Sequence, residues 1–148
     1  MEPGLILNAN ERRFALVGID ISVRAGVTDT GGALTALEQR VPRGAGSPLH
    51  TIREDKVLIV LDGEISLRLG AQLHRLAASD GARIPGGTPH RFFNEREATA
   101  RILMLVMPGG HERYLAELAQ LEAKALLTEP NMHALQQRFG VVILATPE

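Results

Sequence analysis

The apolar positions of this chain recur at two different periods, and the change of period divides it. Up to Met107 they come in short runs that alternate, or stand as brief apolar blocks, between turn residues, which is the pattern of strands. After Pro108-Gly109-Gly110 they recur at helical spacing. Leu5 to Leu7, Phe14 to Val17 and Ile19 to Val23 are predicted as short strands punctuated by Asn8-Ala9-Asn10 and Asp29-Thr30-Gly31-Gly32, either edge strands or a lead-in arm. Ala33 to Val41 alternates, with Leu34, Ala36 and Glu38 on one face and Ala33, Thr35, Leu37 and Gln39 on the other, until Pro42 and Gly44 stop it. Val57 to Leu61 is a continuous apolar run and Asp62-Gly63 a turn. Ile65, Leu67 and Leu69 then alternate, and Gly70-Ala71 turns the chain into Gln72 to Leu76. Ala100 to Met107 is the last strand of this part. Two turn-rich leads, beginning at Gly44 and Ser79, deliver His50 and His90 to the starts of strands. Two histidines offered by two strands would line the mouth of a small β-barrel.

In the tail, Tyr114, Leu115, Leu118, Leu121, Ala125 and Leu126 predict a helix between His111 and Leu127. A second is predicted from Pro130 to Phe139, with Thr128 as cap and Gly140 as stop. Val141 to Leu144 adds a strand or packs as an apolar plug. No repeat or long linker interrupts the chain, so residues 1–32 read as an arm of the same domain, 33–107 as a barrel, and 108–148 as helices and a final strand covering it.

Composition narrows the function without naming it. A chain of 148 residues suits one domain with one core. With 45% apolar residues, 22% charged residues and a net charge of -1, it has the make-up of an ordinary globule, and no basic patch argues for nucleic acid. The absence of cysteine excludes disulfides, thiolate nucleophiles and cysteine-zinc sites, so any metal would need His, carboxylate or water ligands. Neither a signal peptide nor a membrane span is legible, and a cytoplasmic protein is expected.

Gly44, His50 and Gly63, followed by Ser79-Asp80 and by Pro85, Gly87, His90 and Asn94, resemble the two motifs of the cupin superfamily. Pro, Gly, His and Asn of the second motif all fall at the family spacing, while the glycine that usually opens it is Ser79. The Thr30-Gly31-Gly32 lead and the Pro108-Gly109-Gly110 exit into helices are similar to small cupins of the quercetin-dioxygenase-like type. The resemblance implies an all-β fold, a double-stranded β-helix (jelly-roll) barrel with C-terminal helices, commonly a homodimer, with a ligand pocket inside. In metal-binding cupins the first motif is G-x5-H-x-H-x3-E-x6-G, and its two His and one Glu join the second motif's His around a divalent ion. Read onto this chain, His50 and His90 remain, but the other two positions are Ile52 and Lys56. Isoleucine has no donor, and an ammonium about 4 Å from a divalent ion would repel it by roughly 8 kcal/mol at an effective dielectric of about 20.

The expectation is therefore a small-molecule-binding cupin without the complete family metal site and without a cofactor. Its pocket would form around His50, Lys56 and His90, walled by Ile52, Leu58, Val60, Phe92 and Met104. A buried lysine favours a small organic ligand that is anionic or bears a carbonyl. Metal-free acid and base work of the isomerase or cyclase type is open to His90, His50 and Lys56. An imine through Lys56 rests on residue type alone. The alternative is a metal-dependent dioxygenase in which His50, Glu54 and His90 hold Fe, Mn, Ni or Zn, since Glu54 shares the parity of His50 in a fully extended segment. A third reading is a non-catalytic dimerisation or sensing module. Against each functional role stands a plain one: His50 bonding a turn, His90 satisfying backbone groups, Lys56 on the surface. His74 and His133 read as solvated, and His111 has no evident partner.

Overall fold

The computed structural model describes residues 2–7 and 12–144. Eleven strands and two helices follow in chain order: β1 (Arg13–Leu16), β2 (Ile19–Ala25), β3 (Thr35–Val41), β4 (His50–Thr51), β5 (Asp55–Asp62), β6 (Glu64–Leu69), β7 (Gln72–Ala77), β8 (Gly81–Ile84), β9 (His90–Phe93), β10 (Ala100–Met107), α1 (His111–Ala123), α2 (Glu129–Phe139) and β11 (Val142–Ile143). The strands form a six-stranded sheet, ordered β1-β2-β3-β10-β5-β8, and a five-stranded sheet, ordered β11-β4-β9-β6-β7. From β4 to β10 the chain passes repeatedly from one sheet to the other, as a jelly-roll requires.

The period of two decides which side chains fill the space between the sheets. Thr35, Leu37, Gln39 and Val41 of β3 are buried, as are Ala100, Ile102, Met104 and Val106 of β10. On β5 the inward set is Lys56, Leu58 and Val60. Lysine at an inward position is the departure from pattern that the sequence motif announced. The turns follow their chemistry. Asp62-Gly63 joins β5 to β6 with Gly63 at φ 79°, and Pro85-Gly86-Gly87-Thr88 closes on a bond from Thr88 N to Pro85 O of 3.1 Å, with Gly87 at φ 81°. Ser79, where the family motif usually has glycine, is also held at φ 79°.

Four local expectations change. Leu5 to Leu7 forms no strand and lies exposed, while Asn8 to Asn10 falls outside the described residues. Residues 81–84, expected as turn-rich, pair with β5 and end the six-stranded sheet. His50 does not begin the long apolar strand but sits on its own two-residue β4, because the chain must leave the five-stranded sheet for β5 between Ile52 and Glu54. The first helix stops at Ala123, four residues short of Leu127. There Ala125 turns left-handed at φ 57° and Leu126 N bonds Leu121 O at 2.8 Å, a closing turn that a continuous apolar period hides. Of Val141 to Leu144, Val142 and Ile143 form the strand β11, with Val142 opposite Thr51 and Ile143 opposite His50.

The helices are fixed to the barrel by polar contacts. The Glu112 carboxylate accepts from Val27 N at 2.7 Å and from the Thr35 hydroxyl at 2.5 Å, and that hydroxyl accepts from Gly110 N at 2.9 Å. Farther along α1, Glu122 accepts from Val17 N at 3.0 Å. Arg138 of α2 reaches Glu117 of α1 with two bonds of 3.2 and 3.0 Å. Among the described residues, no helix is long and apolar enough to cross a membrane.

Candidate functional site

A cavity of about 360 Å³ lies where the inward faces of the barrel strands meet α1, α2 and β11. Lys56 and Met104 line it from the six-stranded sheet and His50 and Phe92 from the five-stranded one. His111, Tyr114, Leu115 and Leu118 come from α1, and Met132 and Gln136 from α2. The pocket wall expected from sequence is thus divided: Phe92 and Met104 face the cavity, whereas Ile52, Leu58 and Val60 are buried in the packed core and do not line it.

Lys56 is 1% exposed, and its Nζ lies 2.8 Å from Nε2 of His90, itself 1% exposed. His90 Nδ1 lies 2.8 Å from the Thr88 carbonyl, which only an N–H can satisfy. The proton is therefore on Nδ1, and Nε2 accepts from the lysine. His50 repeats the arrangement, with Nδ1 donating to Pro48 O at 2.8 Å, so that its Nε2 is the acceptor. The two residues are paired across β4 and β9, and their ring centroids are 4.3 Å apart. Strand pairing, not sequence proximity, makes this cluster.

Burial sets its electrostatics. Lys56 is pulled from its ordinary 10.5 to about 7, mainly by loss of solvent, with Glu54 acting weakly in the opposite sense. Burial and then the Lys56 charge hold His90 at about 4, and burial, Lys56 and His90 hold His50 at about 3. Near neutral pH both rings are therefore uncharged acceptors. The group whose proton is mobile there is the lysine, which reverses the roles expected from side-chain type alone. His111 is driven well below its ordinary 6.5 by burial first and then by Lys56, His50 and His90.

Residues 37–106 match the family model described as a cupin domain. The barrel those residues build has the cupin fold. It is 29% identical over 106 residues to the quercetin 2,3-dioxygenase of Bacillus subtilis (strain 168), a match covering 70% of this chain and 31% of that protein, so the chain spans about a third of the relative's length. In structure it is similar to an RmlC-like cupin from Shewanella frigidimarina NCIMB 400, with a TM-score of 0.61, 17% identity, and 68% of this chain and 86% of that one covered. It is also similar to a sugar phosphate isomerase of the cupin superfamily from Silicibacter pomeroyi DSS-3, with a TM-score of 0.53, 25% identity, and coverage of 61% and 59%.

The family's divalent ion does not fit the residues present. Ile52 supplies no donor, and Lys56 directs its amine at the His90 nitrogen whose lone pair an ion would need. Glu54 does not complete a replacement set. The chain bends at Arg53 and Glu54, so the parity shared with His50 is lost. Among the described residues no group of three His, Asp or Glu comes together to hold a metal.

Other motif residues have structural roles. Asn94 is buried; its Nδ2 donates to Val41 O and Ala98 O, both at 2.9 Å, and its Oδ1 accepts from Arg96 N at 2.8 Å. It ties the end of β3 to the loop before β10. His74 and His133 are exposed. Two cavity groups were given no role from sequence although a signal existed. His111 shares a helical stripe with Tyr114, Leu115 and Leu118, all facing the cavity, and Gln39 shares the inward parity of Leu37 on β3.

Proposed function

We propose that this cupin binds a small organic molecule with an anionic or carbonyl head in the cavity, the head meeting Lys56 and the rest lying on apolar wall. The observation that carries this reading is a buried lysine amine, 2.8 Å from a neutral histidine acceptor, on a residue that lines a cavity walled mainly by apolar groups such as Ile21, Phe92, Met104 and Leu118. A charged lysine there has lost its water, so an anion entering the cavity would restore the compensation that burial removed. Hydrogen-bonding capacity for the remainder of such a ligand comes from Gln39, His50, Tyr114 and Gln136.

The same arrangement supports proton transfer without a metal. Lys56, at about 7, gives or takes a proton near neutrality. His90 Nε2 is the adjoining acceptor, and the Thr88 carbonyl fixes its tautomer. The names of the relatives include an oxygenase and an isomerase. Isomerisation or cyclisation by acid and base is the class this donor set favours, because it asks for movable protons and no open coordination position.

Two measurements test the reading. Protein purified without a histidine tag should carry no stoichiometric iron, manganese, nickel or zinc; a metal lost in His50→Ala or His90→Ala would overturn the metal-free part. A thermal-shift screen of small carboxylic and phenolic compounds should give hits that vanish in Lys56→Met. Hits that persist in that variant, or an empty screen, would remove the anion pocket.

A further inference from the structure

We propose that Lys56 captures the carbonyl carbon of an amphipathic aldehyde or ketone as a covalent imine. The inference deepens the pocket reading above and rests on it. Three observations carry it. First, Lys56 lines the cavity and its Nζ lies 2.8 Å from Nε2 of His90, which stands behind the lining, and the bond from His90 Nδ1 to Thr88 O leaves that Nε2 able only to accept. Second, among the described residues none that lines the cavity carries a carboxylate, so no acidic side chain of that lining neutralises an ammonium and removes the nitrogen lone pair from use. Third, the space in front of the amine suits a small ligand with an apolar tail, since Ile21, Phe92, Met104, Leu115 and Leu118 wall it.

The chemistry balances within these groups. The amine lone pair attacks the carbonyl carbon and the C=O π pair moves to oxygen. One N–H proton passes to His90 Nε2 and from there to that oxygen, giving a neutral carbinolamine. The nitrogen lone pair then expels the hydroxyl as the C=N bond forms, and the second N–H proton, again through Nε2, leaves with it. The products are one imine and one water; nothing is oxidised or reduced, and His90 ends as it began. The Thr88 carbonyl steadies the ring each time it carries the extra proton.

The sequence makes the test clean, because Lys56 and Lys124 are its lysines and Lys124 is exposed at the end of α1. Hexanal with sodium cyanoborohydride converts any imine into a stable hexyl-lysine, which intact-mass measurement counts and peptide mapping locates. Trapping at Lys56 is expected to outrun trapping at Lys124 by roughly a hundredfold, the low end of what a positioned general base contributes. Excess hexanoate, which occupies the cavity but forms no imine, should slow the Lys56 adduct and leave Lys124 unchanged. Lys56→Arg should keep hexanoate binding and lose the fast adduct; if that variant misfolds, hexanoate competition in the wild type decides alone. Equal rates at the two lysines, or an adduct confined to Lys124 and the amino terminus, overturn the imine. If calorimetry shows hexanoate binding at the same time, the pocket reading stands without it; if hexanoate does not bind either, both fall.

Discussion

Replacing Lys56 with methionine should make the protein more stable at neutral pH and remove a distinctive pH dependence. In the folded chain the amine titrates at about 7 against an ordinary 10.5, and it is 1% exposed. That gap corresponds to roughly 5 kcal/mol of penalty on the charged form. Its sign follows from proton counting. Between pH 7 and 10.5 the unfolded chain holds a proton on this lysine that the folded chain has shed, so stability rises with pH across that window. It is lost progressively as pH falls from 10.5 to about 7. At pH 7 the wild type therefore carries roughly 4 kcal/mol of the penalty. Methionine keeps most of the buried stem and has no proton to bind, but it strands His90 Nε2 at a cost of about 1–3 kcal/mol. A net gain of about 2 kcal/mol near pH 7 is expected for Lys56→Met, shrinking to zero near pH 9 and reversing above it. Urea unfolding of both proteins at intervals from pH 6 to 10.5 measures it. If the two stability curves run parallel, Lys56 titrates as a solvated amine and the desolvation reasoning is wrong.

Three further outcomes follow from the same physics. Because His50 and His90 titrate at about 3 and 4 when folded but at 6.5 when unfolded, their contribution is intact above pH 6.5 and drains away as pH falls toward 4. Urea midpoints should drop steeply over that range, and less so in His90→Gln. Val17 occupies a left-handed position at φ 44° in the β1–β2 turn, unfavourable for a β-branched residue, so Val17→Asn should stabilise by about 1 kcal/mol in the same assay. Asn94→Ala leaves the buried Val41 carbonyl and its neighbours without their donor and should cost about 3 kcal/mol of unfolding free energy.

Much of the barrel was legible because a strand's alternation states its existence and divides it into two faces. Leu37 is fully buried on one of the two faces that the alternation of Ala33 to Val41 states, whereas Leu58, Ile102 and Val106 are fully buried within apolar runs whose inward face the packing of the sheets decides. Turn chemistry at Gly63 and Gly87 marked where strands reverse, since the left-handed backbone there favours glycine. Strand β8 was hidden because it holds only four residues, Gly81–Ile84, with Pro85 directly after, too few to show a period. The end of α1 was hidden for the opposite reason, an apolar pattern that runs on past the last helical turn to Leu126.

The site divides in the same way. By itself the sequence determined that histidines stand at positions 50 and 90, that Ile52 and Lys56 replace two family ligands, and that Lys56 shares the parity of Leu58 and Val60 on one strand. Which of these meet was decided by tertiary structure. The pairing of β4 with β9 sets the two histidine rings 4.3 Å apart, and the facing of the two sheets brings the Lys56 amine to His90. The packing of α1 against the barrel adds His111 and Tyr114 to the cavity wall, from which Ile52, Leu58 and Val60 are absent. Side-chain type and parity are local properties, written residue by residue. Distances between strands and the withdrawal of water that shifts a lysine from 10.5 to about 7 depend on every element that closes around them.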